Sequence, residues 1–257
     1  MRLLGDEDRA YNALVLSMFL DLVLVVSHVA APMYIGWNDL TGNWKPFSIE
    51  KNRSVTFQHY VEGLKSFLVD VFLCGLPVLS FSLYWQYDRV VYSDDPWWFA
   101  LLKLVVGFNG GRIWAMMAHR ILHLPLFYTR FHKRHHCLPT QMVASGAWLD
   151  SFVEFLFMET PSFHMMLWFF PTHLSVHVLF FMYHGISAAG DHSGHNFPDE
   201  KWFDQFFFDG EVHYMHHKYT TWNYAEVEWL DYLCHTHHTQ RPQRGVKCTP
   251  KAAALIK

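Results

Sequence analysis

The stretch from Phe131 to Cys137 reads FHKRHHC, and the stretch from Val212 to Lys218 reads VHYMHHK. Both contain the pattern His-x-x-His-His. In an α-helix, positions i, i+3 and i+4 lie on one face. Each triplet is therefore predicted to point three imidazoles in one direction, so that three nitrogens can bind one metal ion. The triplets are His132, His135 and His136, and His213, His216 and His217.

Histidine is concentrated in the second half of the chain. Of the 19 histidines, only His28 and His59 lie before residue 119. Neutral imidazole is the commonest protein ligand for transition metals, and two further blocks, AHRILHL and DHSGHN, extend the pattern. The candidate metal ligands are His119, His123, His132, His135, His136, His192, His195, His213, His216 and His217, and all except His195 are also candidate catalytic residues.

The number of candidate ligands indicates more than one metal ion. A zinc ion takes about four ligands, so nine or ten imidazoles are too many for one ion and suit two ions with five or six ligands each. The sequence therefore predicts a dinuclear centre. The motif H-E-x-x-H is absent, so a zincin protease has no support. Imidazole ligands alone admit iron, zinc, copper or nickel.

The composition indicates contact with lipid. Hydrophobic residues make up 51% of the 257 residues and charged residues 17%, against roughly 25% charged residues in an average soluble domain. A formal net charge of −3 favours no nucleic acid partner. Apolar runs of about 20 residues predict membrane segments. The five predicted segments are 11–35, 64–86, 97–118, 147–170 and 172–190.

The charges of the loops predict an orientation. The 36–63 loop carries Lys45, Lys51 and Arg53, whereas the 88–96 loop is dominated by acids. The positive-inside rule places the first loop in the cytosol, and both histidine-rich blocks then lie on that side. The acidic start MRLLGDEDRAYN lacks the basic region of a cleavable signal peptide. The first apolar run is therefore expected to remain in the mature protein.

The predicted fold is all-α, an integral membrane helical bundle of about four to five membrane segments with a cytosolic histidine-rich helical cap over residues 191–240. We expect one integrated domain, 1–257, because no linker or repeat divides the chain. Within it, 1–118 is mainly membrane anchor, 112–240 is the catalytic histidine region and 241–257 is a basic tail. The aromatic stretch WFDQFFFDG at 202–210 is predicted to lie at the membrane interface, with part of a lipid tunnel mouth as the alternative.

Several acidic residues and histidines are predicted to lie around the ligands. Carboxylates commonly hydrogen-bond ligand imidazoles, which favours Asp150, Glu154 and Glu159, with Asp191 and Asp231 as competing candidates. Whether His184 binds metal stays open. The remaining histidines are interpreted as supporting or structural residues; they are His28, His59, His164, His173, His177, His235, His237 and His238.

The ordered blocks HRILH, HKRHH, HSGH and HYMHH resemble the fatty acid hydroxylase and sterol desaturase superfamily of membrane non-haem iron enzymes, especially its C4-methylsterol oxidases and sterol C5-desaturases. The resemblance covers about 112–240 and includes NYAEVEWLD at 223–231, which is similar to elements that follow the last block. Two features depart from the family pattern. SGAWLDS at 145–151 replaces a frequent His-Pro pair, and the third block reads HSGH instead of HSGY.

The resemblance implies a function and its cofactors. Two iron ions, replaceable by zinc in a purified or substituted form, would use O2 and external electrons to oxidise a C–H bond of a lipid. A sterol is the leading substrate, by C4-methyl oxidation or desaturation, and fatty acyl or sphingolipid hydroxylation is the alternative. The implied electron donor is cytochrome b5 or an NAD(P)H-linked reductase, and the implied location is the endoplasmic reticulum membrane with the active site facing the cytosol.

Two hypotheses come from other functional classes. A zinc-dependent membrane hydrolase would act without O2 or reductant. A metal-handling membrane protein would spread its ligands across the membrane, whereas these motifs gather on one predicted side.

Overall fold

The structure, a computed structural model, describes residues 6–138, 141–196 and 209–240. The tail 241–257 and nearly all of the stretch 202–210 lie outside the described residues. The predicted all-α class is confirmed, since the described part of the chain contains helices and no strand. The main helices are α1 (Asp6–Leu40), α2 (Phe57–Asp70), α3 (Leu76–Val91), α4 (Trp97–Leu122), α5 (Thr160–Phe169), α6 (Leu174–Asp191), α7 (Gly210–Tyr219) and α8 (Glu228–Leu233).

Short helical turns complete the described backbone. The tight turns and single helical turns are Lys45–Phe47, Pro125–Phe127, His135–Cys137, Ala144–Trp148, Phe152–Glu154 and His238–Gln240, and the wider π turns are Val71–Gly75, Tyr128–His132 and Phe155–Glu159.

Two of the π turns lie just before a proline of the same helical rod. Val71–Gly75 precedes Pro77, and Phe155–Glu159 precedes Pro161. Proline lacks the N–H that would bond the carbonyl four residues earlier, and its ring crowds that carbonyl. A wider turn accommodates both effects, and the freed Phe157 carbonyl accepts the indole N–H of Trp114 at 2.9 Å. The sequence predicts a kink at Pro77; the structure has a widened turn that joins α2 to α3.

Two helical rods are long and apolar enough to cross a membrane, judged over the described residues. They are Glu7–Leu40 and Phe57–Val91, and they contain the first two predicted membrane segments. The assignment of 97–118, 147–170 and 172–190 to the membrane, and of 191–240 to a cap, stays a prediction.

The surface of α1 has the polarity expected in lipid. Met18, Leu22 and Val26 are exposed, whereas Asp21 and His28 are buried against the other helices. Polar and ionisable residues of membrane helices face the protein interior, since lipid cannot solvate them. The polarity of the outward face of α1 therefore suits contact with lipid better than contact with water.

The run 147–170 differs from the predicted continuous segment. Ala144–Trp148 forms a buried turn, and the helix begins only at Phe152. The hydroxyl of Ser151 accepts a hydrogen bond from the Glu154 amide at 3.2 Å, which is the arrangement of a helix N-cap. The local capping signal thus starts the helix inside the apolar run and leaves Asp150 outside it.

The helices bring different loops to the two ends of the bundle. At one end, Arg9 pairs with Asp88, and the Thr172 hydroxyl donates to Asp95 at 2.6 Å. At the other end, Arg53 Nε donates to the Met142 carbonyl at 2.8 Å. The 36–63 loop therefore lies with the histidine-bearing segments and away from the 88–96 loop, as the charge argument requires. The assignment of that end to the cytosol stays a prediction.

Candidate metal centre

Nine of the ten candidate ligands converge in two adjacent groups. In each group the ligand nitrogens lie within 4.8 Å of one another, and every ring is buried except that of the half-buried His123. The rings of His119 and His216, from opposite ends of the motif region, have centroids 4.4 Å apart. Cluster 1 consists of His119, His123, His132, His136 and His216, and cluster 2 of His135, His192, His213 and His217.

The Nε2 atoms within cluster 1 crowd together more closely than uncharged rings would without a shared partner. The Nε2 of His132 lies 3.0 Å from that of His123 and 3.0 Å from that of His136. With metal–nitrogen bonds of about 2.1 Å, ligand nitrogens are about 3.0 Å apart at right angles and about 3.4 Å apart at tetrahedral angles. The observed spacing is that of ligands around one ion.

Cluster 2 has the same spacing. The Nε2 atoms of His192 and His213 are 2.9 Å apart, and those of His213 and His217 are 3.1 Å apart. His135 adds its Nε2 at 3.2 Å from that of His192. A neutral imidazole carries one N–H, and His135 and His192 place theirs on Nδ1, as their outward partners show below. A direct hydrogen bond therefore does not explain that last pair, whereas a shared cation does.

Outward hydrogen bonds fix the tautomers of cluster 1. The Nδ1–H of His119 donates to the Tyr224 carbonyl at 2.8 Å, and that of His216 to the Trp222 carbonyl at 2.6 Å. His132 Nδ1 bonds the Glu154 carboxylate. With hydrogen on Nδ1, the Nε2 lone pair points inward. The buried Nε2 of His216 has no hydrogen-bond partner among the described residues, so these residues fit a metal ion.

Two of the four cluster 2 rings are held from outside, whereas the Nδ1 atoms of His213 and His217 have no hydrogen-bond partner among the described residues. His135 Nδ1 lies 3.1 Å from Asp150 Oδ1, and His192 Nδ1 lies 3.0 Å from the Ala188 carbonyl. Asp150 and Glu154 thus occupy the supporting positions predicted from the sequence. A carboxylate behind an imidazole fixes its orientation and raises its basicity, so each cluster has one ligand strengthened by an acid.

The two triplets do not form two separate metal sites. His132 and His136 belong to cluster 1 and His135 to cluster 2, whereas His213 and His217 belong to cluster 2 and His216 to cluster 1. In α7, residues i+3 and i+4 lie about 60° to one side and about 40° to the other side of residue i, so they point about 100° apart. The first triplet, predicted to be helical, instead spans the end of a π turn and the start of a tight turn, and it divides its rings in the same way. The pair at i and i+4 therefore serves one cluster, and the residue at i+3 reaches the other. Each triplet bridges both clusters.

Burial keeps the cluster imidazoles neutral. Desolvation lowers the pKa of His136 to about 3 and that of His192 to about 4. The pKa values of His213 and His217 are lowered well below the usual value, first by burial and then by neighbouring histidines. Metal binding requires the unprotonated ring, so the site is already in its ligating form near neutral pH.

The structure does not bring His195 to either cluster. Its Nε2 lies 3.0 Å from Asp39 Oδ1, and its ring packs edge-on against Trp44. Arg53 joins the same network, donating to Asp39 at 2.7 Å and to the Ser193 carbonyl at 2.8 Å. The predicted ligand is instead part of a buried ion-pair network that fixes the loop after His192. In HSGH, only the first histidine reaches the metal centre.

The other acidic candidates have different partners. Asp191 Oδ1 accepts the backbone N–H of Asp209 at 2.9 Å. Asp231 accepts the backbone N–H groups of Tyr224 at 2.9 Å and Ala225 at 3.1 Å. It therefore orients the peptide between Tyr224 and Ala225, whose carbonyl accepts the hydrogen bond from His119 Nδ1–H. Asp231 positions a ligand through the backbone, without touching the imidazole.

The remaining described histidines lie outside both clusters. The ring of His184 packs edge-on against Phe163, with centroids 4.3 Å apart. His237 Nε2 lies 3.2 Å from Glu228, and His173 bonds the Asp95 carbonyl at 2.8 Å. His28 and His164 bond carbonyls four residues earlier, and His177, His59, His235 and His238 also lie apart from the nine.

A small chamber adjoins the clusters. Its free volume is about 40 Å³, and its described lining includes Ala115, Trp148 and the acids Glu159, Asp191 and Glu226. The histidines that line it are His119 from cluster 1 and His135, His192 and His213 from cluster 2. Glu159, predicted to bond an imidazole, instead lines this chamber. Cluster 2 is the more accessible of the two from the chamber.

Sequence reasoning missed the backbone acceptors. The carbonyls of Ala188, Trp222 and Tyr224 fix three ligand rings, and a carbonyl has no side-chain signature. The nearest signal was NYAEVEWLD, which contains both Tyr224 and Asp231. Its similarity to the elements that follow the last histidine block marks the position but not the contact.

Comparison with known proteins agrees with this geometry. The sequence model of the fatty acid hydroxylase family matches residues 104–236, just over half of the chain. The fatty acid hydroxylase ahd1 of Mycosarcoma maydis is 30% identical over 163 residues, which cover 60% of this chain and 39% of that protein. The chain thus matches well under half of that relative's length. No solved structure matches. With nine imidazoles gathered inside the matched segment, the chain belongs to the fatty acid hydroxylase family.

Proposed function

We propose that this chain is a membrane lipid hydroxylase that holds two iron ions, one in cluster 1 and one in cluster 2, and oxidises a C–H bond of an acyl chain. The observation that carries the proposal is the convergence of nine buried, neutral imidazoles in two adjacent groups. A single-ion site has no use for nine ligands, and a structural site would not require a chamber beside them.

The two metal ions, when bound, would supply the reduction of O2 and the oxidation of an unactivated C–H bond. Zinc would occupy the same nitrogens, since ligand type does not separate the two metals, and is expected in protein purified without added iron. The preference for iron rests on family membership.

The protein residues supply orientation and exclusion of water. Asp150 and Glu154 hold His135 and His132 from behind, and Ala115, Trp148 and Met158 give the chamber apolar walls. An apolar wall keeps bulk water from the reacting carbon and strengthens electrostatic interactions inside. Substrate specificity then depends on what reaches this chamber.

An acyl chain suits the surroundings of the chamber better than a sterol. The space that leads to it contracts to the width of a water molecule, as described below, and the similar protein from Mycosarcoma maydis carries the name fatty acid hydroxylase. Sterol oxidation, which the sequence interpretation ranked first, becomes an alternative outcome of the test.

Electrons and location are part of the proposal. The given sequence has no Gly-rich dinucleotide fingerprint, and the proposed electron donor is cytochrome b5 or an NAD(P)H-linked reductase. We place the protein in the endoplasmic reticulum membrane, with the histidine-bearing end in the cytosol, where such donors meet it.

The test uses the full chain purified in detergent after growth with added iron. We expect about two metal ions per chain, in line with two sets of four or five ligands, and transfer of one oxygen atom from ¹⁸O2 to an acyl lipid when a reductant is supplied. Oxidation of a sterol but not of acyl lipids would replace the substrate assignment. Turnover without O2, or fewer than one metal per chain in the purified protein, would contradict the proposed function.

A further inference from the structure

Three cavities lie in sequence between the surface and the clusters. The first is an outer groove of about 460 Å³ between α4 and α6, with Leu104, Phe108, Leu179, Phe180 and Trp229 in its described lining. This volume falls in the range of small-molecule sites, about 300–1,000 Å³. Its lining is mainly apolar, which suits a hydrocarbon.

The outer groove continues inward through a neck. Phe108, Arg112 and Phe180 line both the groove and the neck, and Ala115 and Glu226 line both the neck and the metal-side chamber. The neck has a free volume of about 10 Å³, enough for about one water molecule. The three cavities therefore share walls in sequence, and a passage through them would be narrowest at the neck.

The two helices that form the neck are each packed closely against another helix. A Cβ on Gly111 of α4 would lie 2.9 Å from the Ser162 carbonyl, and a Cβ on Gly185 of α6 would lie 2.5 Å from His28 Nδ1. Both distances are below van der Waals contact, so α4 is pressed against α5 and α6 against α1. Since close-packed interiors resist deformation, side chains, not helix movement, determine how far the neck opens.

A hydrogen bond crosses the passage at the neck. Arg112 Nη2 on α4 donates to the Tyr183 hydroxyl on α6 at 2.9 Å, and the guanidinium lies over the Phe108 ring, 4.1 Å from its centroid. Rotation of these side chains would widen the neck without moving either helix. The stem of an arginine also offers an apolar surface to a passing hydrocarbon.

We propose that this passage selects an unbranched acyl chain, with the Arg112–Tyr183 hydrogen bond as its latch and Ala115 as the residue that limits width at the inner end. The inference rests on the proposed function and adds to it the shape of the substrate. The chain lies in the outer groove, threads the neck and presents one carbon in the chamber beside cluster 2.

The first experiment narrows the neck. Ala115→Leu adds carbon atoms to its inner end, and Ile113→Phe adds as many on the exposed side of the same helix. We expect Ala115→Leu to lower hydroxylation of a saturated straight-chain acyl lipid by more than about tenfold, the effect of a misfit of one or more methylenes. Both variants should keep the metal content of the unmodified protein, and Ile113→Phe should keep its activity.

The second experiment widens the neck, and it tests the selection of an unbranched chain even if Ala115→Leu fails to fold. Phe108→Ala should raise the ratio of turnover on a singly methyl-branched acyl lipid to turnover on the straight-chain lipid by about tenfold or more. Metal content is measured in the same samples, so loss of the centre is separated from a change of selectivity.

The outcomes separate the two proposals. Suppose that Ala115→Leu and Phe108→Ala both retain metal and change neither the turnover of the straight-chain lipid nor the ratio of branched to straight-chain turnover. That result would overturn the passage and leave the proposed hydroxylase intact. Equal turnover of a sterol and a straight chain by the unmodified protein would overturn the passage as well. An absence of hydroxylation of any lipid would remove the proposed function, and the passage with it.

Discussion

The two histidine clusters are built from the same two triplets but have different surroundings. Cluster 1 has five imidazoles, of which only His119 lines the chamber, whereas cluster 2 has four, of which three line it. A metal in cluster 1 would have five imidazole ligands and little contact with the chamber, whereas a metal in cluster 2 would have four and more contact with it. Catalytic metal sites keep an open position, so we infer that an ion in cluster 2 would be the one that meets the substrate.

The largest expected effect distinguishes the clusters by ligand number. His213→Ala leaves three ligands in cluster 2, and we expect about one metal per chain and no detectable turnover, since the loss of one of only four imidazoles weakens binding of the ion and changes its coordination. His123→Ala leaves four ligands in cluster 1, so about two metals per chain should remain. Metal analysis of both purified variants measures this.

Equal loss of metal from His213→Ala and His123→Ala would show that the number of ligands does not distinguish cluster 1 from cluster 2. Circular dichroism spectra and detergent gel filtration of both variants show whether an altered metal content has a cause other than the ligand. The half-buried position of His123 makes it the cluster 1 ligand whose removal leaves the smallest cavity.

A smaller effect is expected from the carboxylates behind the clusters. Asp150→Asn should weaken metal binding in cluster 2 and Glu154→Gln in cluster 1, each by about 10–100-fold, the usual cost of losing such a partner. Both changes keep the shape and remove the charge. Titration with a competing chelator resolves the weaker and the tighter site in each variant.

Glu62→Gln is the matched control, because Glu62 is exposed and its carboxylate accepts a hydrogen bond from Gln58 on its own helix at 3.1 Å. Chelator curves of Asp150→Asn and Glu154→Gln that coincide with that of Glu62→Gln would show that the supporting acids do not tune the ions.

The smallest effect on metal content is expected at His195. His195→Gln should leave both metals bound, because the ring lies against Asp39 and outside the clusters. The free energy of unfolding should fall by about 1–3 kcal/mol, the cost of a lost buried hydrogen bond, as seen in a lower thermal midpoint. A variant that loses one metal without losing stability would return His195 to the ligand set.

The candidate site was partly predictable because imidazole spacing is a local property. The pairs His119 with His123, His132 with His136 and His213 with His217 are each four residues apart, and each pair serves one cluster. The carboxylates at Asp150 and Glu154 were predictable from their chemistry. The exclusion of His195 was not, because HSGH offers two equivalent rings and only the position of Asp39 and Arg53 separates them.

The sequence by itself determined the helical class, the apolar character of α1 and of the α2–α3 rod, and the presence of nine imidazoles at ligand spacings, since all of these follow from residue types at short separations. Tertiary structure alone decided which imidazoles lie in one cluster, which carbonyls hold them and where the neck between α4 and α6 lies. Those features depend on segments far apart in the chain, such as His119 and Tyr224, which are 105 residues apart, and on backbone groups that every residue carries. Only packing selects among them.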